Sequence, residues 1–101
     1  MSLWAVYIIS NNAHTLYTGM TDNLPNRVRQ HKEGTYSNGF TARYTWDRLV
    51  YFESAASKSA AAKREKQIKG WSRAKRVALI QAENPNWNDL SASWSEMLLL
   101  R

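Results

Sequence analysis

The chain has no cysteine, so neither disulfide staples nor cysteine-ligated zinc can hold it together, and a reducing, cytoplasmic setting is expected. Long apolar runs are missing too. Leu3–Ile9 and Met97–Leu100 are the longest, far short of the roughly 20 residues a membrane-crossing helix requires, so no membrane segment is expected. The opening shows no basic region followed by an apolar stretch and a small-residue cleavage site, so no secretory leader is expected either. Acidic residues are scarce where basic ones are dense. Thirteen of the 14 Lys and Arg lie between Arg27 and Arg76 against four acids, a local surplus of nine within a chain of net charge +6. Such a zone attracts polyphosphate through counterion release and long-range steering. Phe40, Tyr44, Trp46 and Trp71 are interleaved with it, which favours nucleic acid over a merely solvated basic surface.

What remains is enough for one core. A chain of 101 residues is one domain in size, and five Trp, five Tyr and scattered Leu, Ile and Val can fill its interior at a mean hydropathy of −0.58. Leu3–Ile9 is apolar at nearly every position and reads as a strand covered on both faces. Turn-forming residues 10–14 follow, then Thr15–Met20, so the two runs predict an antiparallel hairpin. With the turn near Asn12, Tyr7 and Tyr17 fall opposite or close to it, two phenols on one surface. Thr21-Asp22-Asn23 as cap candidates, Pro25 in the first turn and Gly34 as stop predict a helix. Asp47–Glu53 reads as a third strand, and Ser57–Trp71 and Ser72–Glu83 as two more helices, the last ended by Asn84-Pro85. The expected class is α+β: a small three-stranded antiparallel sheet, the hairpin plus the third strand, packed with helices. Residues 1–90 form the expected domain. Residues 91–101 form a short amphipathic tail that completes the core or contacts a protein partner or second copy.

Two side chains stand out against this pattern. Glu65 lies four residues after Ala61 and three before Ile68, on the face that should be buried, because Lys58, Lys63, Arg64 and Lys66 occupy the others. A carboxylate there needs a cation, a hydrogen-bond network or a metal. Lys69, one turn later, is the simple partner. On the first helix, Leu24, Val28 and His31 form an apolar-face stripe with Arg27 at its edge, so a guanidinium and an imidazole share one face. His31 also suits the helix C-terminus as a cation, and His14 in the hairpin turn reads as exposed.

Ala5-Val6-Tyr7 followed by Tyr17-Thr18-Gly19 resembles the paired tripeptides of the GIY-YIG nuclease domain. Further landmarks come in the same order. Arg27 and His31, then Phe40-Thr41 and Tyr44, then Leu49-Val50-Tyr51, then Arg64-Glu65-Lys66-Gln67-Ile68-Lys69 are similar to the small stand-alone bacterial GIY-YIG proteins from about Trp4 to Leu90. Ala5, Val6 and Thr18 depart from the motif at strand positions whose side chains mostly pack.

Phosphodiester hydrolysis needs an attacking water, charge neutralisation on the phosphate and help for the leaving oxygen. The resemblance implies one divalent ion, Mg2+ or Mn2+, held by Glu65, and a phosphate clamp at Arg27. It makes Tyr17 the water-orienting residue or base, Tyr7 a supporting phenol, and His31 a group that orients the site or accepts a proton. Packing roles remain open for Tyr7 and His31. Nucleic-acid contacts are expected from Phe40, Thr41, Arg43 and Tyr44 and from Lys63, Lys66 and Lys69. No sequence-reading module is present, so the implied activity is a backbone- or structure-directed endonuclease on DNA, with RNA open. The alternative is a non-catalytic nucleic-acid-binding module of the same fold, and a more distant one is a protein-interaction domain.

Overall fold

The structure, a computed structural model, describes residues 3–34, 46 and 48–94. Its elements run β1 Trp4–Ser10, β2 Leu16–Thr21, α1 Leu24–Glu33, β3 Arg48–Ala55, α2 Lys58–Lys69 and α3 Arg73–Glu83. All three strands are antiparallel in the order β2-β1-β3. β1 is therefore the central strand. That explains its unbroken apolar run, because both of its faces are buried from Ala5 to Ile9.

Alternation along β1 separates two cores. Val6 and Ile8 point to one side, where Val50, Tyr51, Ala61, Ile68, Ile80 and Trp87 join them under α2 and α3. Tyr7 and Ile9 point to the other, with Val28 of α1, Trp46 and Leu49. β3 carries a bulge: Ile8 pairs with Tyr51 but Ile9 with Leu49, so Val50 is the extra residue and turns to the α2 side.

Local chemistry sets the boundaries. Asn11 Oδ1 accepts from the backbone N–H of Ala13 and Thr15, both at 3.0 Å, and closes the hairpin. His14 takes a positive φ of 58° there and stacks on Trp87 at 4.4 Å, so this exposed histidine is anchored by its ring. Asn23, Ser57 and Ser72 cap α1, α2 and α3 through side-chain oxygens that accept from the third backbone N–H beyond. Gly34 stops α1 in the left-handed conformation, φ 75°.

Residues 84–94 fold back over β3. Asn84 Nδ2 donates to the Val50 carbonyl at 3.1 Å, Leu90 N to the Leu49 carbonyl at 2.8 Å, and Leu49 N donates to Asp89 Oδ1 at 3.0 Å. Backbone groups of the edge strand are thereby satisfied at Leu49 and Val50. Asp89 also meets Lys32 Nζ of α1 at 2.6 Å, and Trp94 packs edge-on to Phe52. Among the described residues no helix is long and apolar enough to cross a membrane.

Candidate functional site

The hairpin register places the two phenols diagonally. Tyr7 pairs with Gly19 and Tyr17 with Ile9, so the tyrosines share the α1 face as offset neighbours, 6.4 Å between ring centroids. Gly19 is what lets them fit. A Cβ there would lie 2.6 Å from the Tyr7 hydroxyl and 2.7 Å from Cζ, so the phenol occupies the space where β2 lacks a side chain.

Through that slot Tyr7 reaches α1. Its hydroxyl is 2.8 Å from His31 Nε2, and both residues are buried, at 0% and 1% exposure. Tyr17 packs on the same imidazole at 4.9 Å, and Trp46 closes the cluster at 5.9 Å from Tyr17 and 6.5 Å from His31. Tyr17 is only half-buried. Arg27, one turn before His31 and also half-buried, adds its positive charge nearby. Burial first, and the Arg27 charge second, lower His31 to about 4. The imidazole is therefore neutral at pH 7 and shares a hydrogen bond with Tyr7 without burying a net charge.

Four of the five residues that the sequence assigns to the reaction thus meet on one side of the sheet. Glu65 is on the other. α2 packs on the Val6/Ile8 face, chiefly over β2 and β1, with Ala61 and Ile68 fully buried beneath it. Between them the Glu65 side chain is 21% exposed, and its Oε2 lies 3.4 Å from Lys69 Nζ. The simple partner is in place. Edge strand β2 is the common support, carrying Tyr17 on one face and α2 on the other. Lys63, Lys66 and Lys69 are exposed along α2. Phe40, Thr41, Arg43 and Tyr44 lie outside the described residues.

Trp46 is the wall residue that the sequence reading did not single out for the site. It sits in a stretch without helical or strand periodicity, so only its size hinted at burial. Thr18, where the motif departs toward a hydroxyl, is buried on the α2 side, and its Oγ1 meets no hydrogen-bond partner among the described residues. Ala5 and Val6, the other departures, are buried packing positions.

The hairpin, its paired tyrosines and the glycine slot agree with what comparison finds: the model of the GIY-YIG catalytic domain matches residues 3–78. The chain belongs to the GIY-YIG nuclease family. Within that family it is similar to a UPF0213 protein of Syntrophus aciditrophicus, 41% identical over 85 residues that cover 84% of this chain and 97% of the relative. A UPF0213 protein of Natronomonas pharaonis is 44% identical over 78 residues, 77% of this chain and 91% of that one. The solution NMR structure of a UPF0213 protein from Bacillus halodurans matches with a TM-score of 0.53 at 26% identity, covering 90% of this chain and 97% of that one.

Proposed function

We propose that this protein is a metal-dependent endonuclease that hydrolyses DNA phosphodiesters by recognising backbone or structure, not sequence. The convergence of Tyr7, Tyr17, His31 and the Arg27 charge on one side of the sheet carries the reading. Exposure divides their work. Tyr7 and His31 have no surface with which to touch a phosphate, so they are positioning residues: the neutral imidazole holds the Tyr7 hydroxyl and packs against the Tyr17 ring. Tyr17 and Arg27 keep solvent-facing surface and meet the substrate. Arg27, always protonated and forked, clamps non-bridging phosphate oxygens. The Tyr17 hydroxyl accepts from the attacking water and orients it. As the water oxygen bonds to phosphorus it releases a proton to solvent, the bond to the leaving oxygen breaks, and that oxygen takes a proton from solvent.

Glu65, which lies across edge strand β2 from Tyr17, would hold the divalent ion. Among the described residues no cluster of three or more His, Cys, Asp or Glu side chains could gather around a metal. One carboxylate suits Mg2+ or Mn2+, which keep much of their water and accept phosphate oxygens, and does not suit tetrahedral zinc. Lys69, whose side chain is half exposed, would swing away from Glu65 to admit it. When bound, the ion supplies Lewis-acid stabilisation of the phosphoryl oxygens. Cytoplasmic location fits the cysteine-free composition.

The Glu65–Lys69 pair favours one rival, a binding module without turnover. Incubation with plasmid and branched DNA in Mg2+ or Mn2+ separates the two. Nicking is expected, with Glu65→Ala and Arg27→Ala each lowering the rate by at least about 100-fold while Glu65→Ala still binds DNA. Intact substrates in every metal, with binding preserved, would leave only the module.

A further inference from the structure

α2 and α3 together carry eight Lys and Arg against Glu65 and Glu83. Their charges meet at the corner between the helices. The guanidinium of Arg64, from α2, lies 5.1 Å from the centre of the Trp71 ring, and Lys75 Nζ, from α3, lies 4.5 Å from it. Arg64 is committed to Glu53, which it holds through Nε at 2.9 Å and Nη2 at 3.1 Å. Lys75 and Arg73 have no carboxylate partner among the described residues. Arg76 buries its Nε without a hydrogen-bond partner there.

The cation–π contacts to Trp71 stabilise the corner, but two features of its charge work against stability. The first turn of α3 carries Arg73, Lys75 and Arg76 and no acid, although the positive end of the helix dipole disfavours cations. Two like charges are also held on one indole. A polyanion laid across the corner turns both penalties into attraction.

We infer that the Trp71 corner, centred on Arg73 and Lys75, is a second contact surface for the nucleic-acid backbone. This rests on the proposed nuclease reading and adds a position to it. The corner lies on the α2/α3 side of the sheet, whereas Tyr17 and Arg27 lie on the α1 side. Phosphates at the corner are therefore held apart from Tyr17 and Arg27, on the face that also carries α2 and Glu65. The chemistry selects backbone phosphate, since exposed cations without neighbouring acceptors read charge and not bases.

The test is the salt dependence of binding to a 30-base-pair duplex by the wild type, Arg73→Gln/Lys75→Gln, and Arg29→Gln. Arg29 is an exposed α1 cation paired with Glu33 and serves as the control. Each lost phosphate contact lowers the slope of log K against log salt by about 0.9. The double variant should therefore lose about 2 from the slope and the control nothing. KM for DNA should rise several-fold with kcat at saturation unchanged. An unchanged slope in the double variant, in protein that binds and cuts normally, overturns the corner alone. Wild-type protein that binds no nucleic acid at low salt overturns the nuclease reading itself. Thermal melting checks folding, and if the double variant is unfolded the two single variants replace it, each with an expected loss of about 1 from the slope.

Discussion

Gly19 and His31 show how much of the candidate site depends on single side chains. At Gly19 the constraint is space. A methyl group would press against Tyr7 Oη and Cζ at 2.6 and 2.7 Å, and Tyr7 is fully buried with no room to retreat. Gly19→Ala is therefore expected to cost about 1–3 kcal/mol and to break the bond to His31. Removing the hydroxyl as well, in Gly19→Ala/Tyr7→Phe, should restore little, because Cζ remains in contact. Urea unfolding of the three proteins checks both statements, and full recovery in the double variant would show that only the hydroxyl was in the way. At His31 the constraint is charge. Its folded value near 4 lies below the ordinary 6.5, so the unfolded chain takes up the proton first as pH falls. The stabilisation is complete above about pH 6.5 and is lost on the way down to about pH 4, worth roughly 3 kcal/mol over that window. His31→Gln should flatten that part of the stability–pH curve. A wild-type curve that is level from pH 6.5 to 4 would mean that the imidazole is not buried neutral.

Elements were more legible than contacts. Of the candidates Thr21, Asp22 and Asn23 it is Asn23 that caps α1, Pro25 and Gly34 stand at its ends as expected, and α2 and α3 begin at the expected serines, because capping is a local hydrogen-bond problem solved within four residues. The strands lie within two residues of their expected ends, since β-branched and aromatic runs between turn signals mark them. Pairing offsets are less visible. The phenols are close neighbours as expected, but that they are diagonal follows from the turn closed by the Asn11 side chain, and the Val50 bulge leaves no mark in an apolar run. That Tyr7, Tyr17, Arg27 and His31 belong together was legible from the resemblance of the hairpin and first helix to a known motif, and the structure brings them to one side of the sheet. The Glu65–Lys69 pair was visible in the four-residue spacing, but that α2 would pack on the far face was not, since helical spacing gives the buried side of a helix and not the side of the sheet it covers. Asp89 was equally hidden. Its ties to Leu49 and Lys32 span 40 and 57 residues, and nothing local announces them.

At the scale of the whole molecule, charge is distributed unevenly enough to oppose folding and to favour a polyanion at once. The net charge is +6, and α2 and α3 crowd their cations on one side of the sheet with few carboxylates to offset them. Self-repulsion of that kind weakens as the Debye length shrinks from about 30 Å at 0.01 M to about 10 Å at 0.1 M salt. Added chloride salt should therefore raise the melting temperature of the free protein. DNA bound to the folded state raises it as well, by an amount that grows with DNA concentration over the dissociation constant. Salt weakens that binding through counterion competition, so the shift caused by DNA must shrink as the melting point of the free protein climbs. Opposite signs for one variable are the signature of a surface built to hold phosphate. Differential scanning fluorimetry at 20, 100 and 300 mM NaCl, roughly spanning the screening range, with and without a short duplex, measures both trends together. If DNA shifts the melting temperature equally at all three salts, the cations of α2 and α3 are not what holds it.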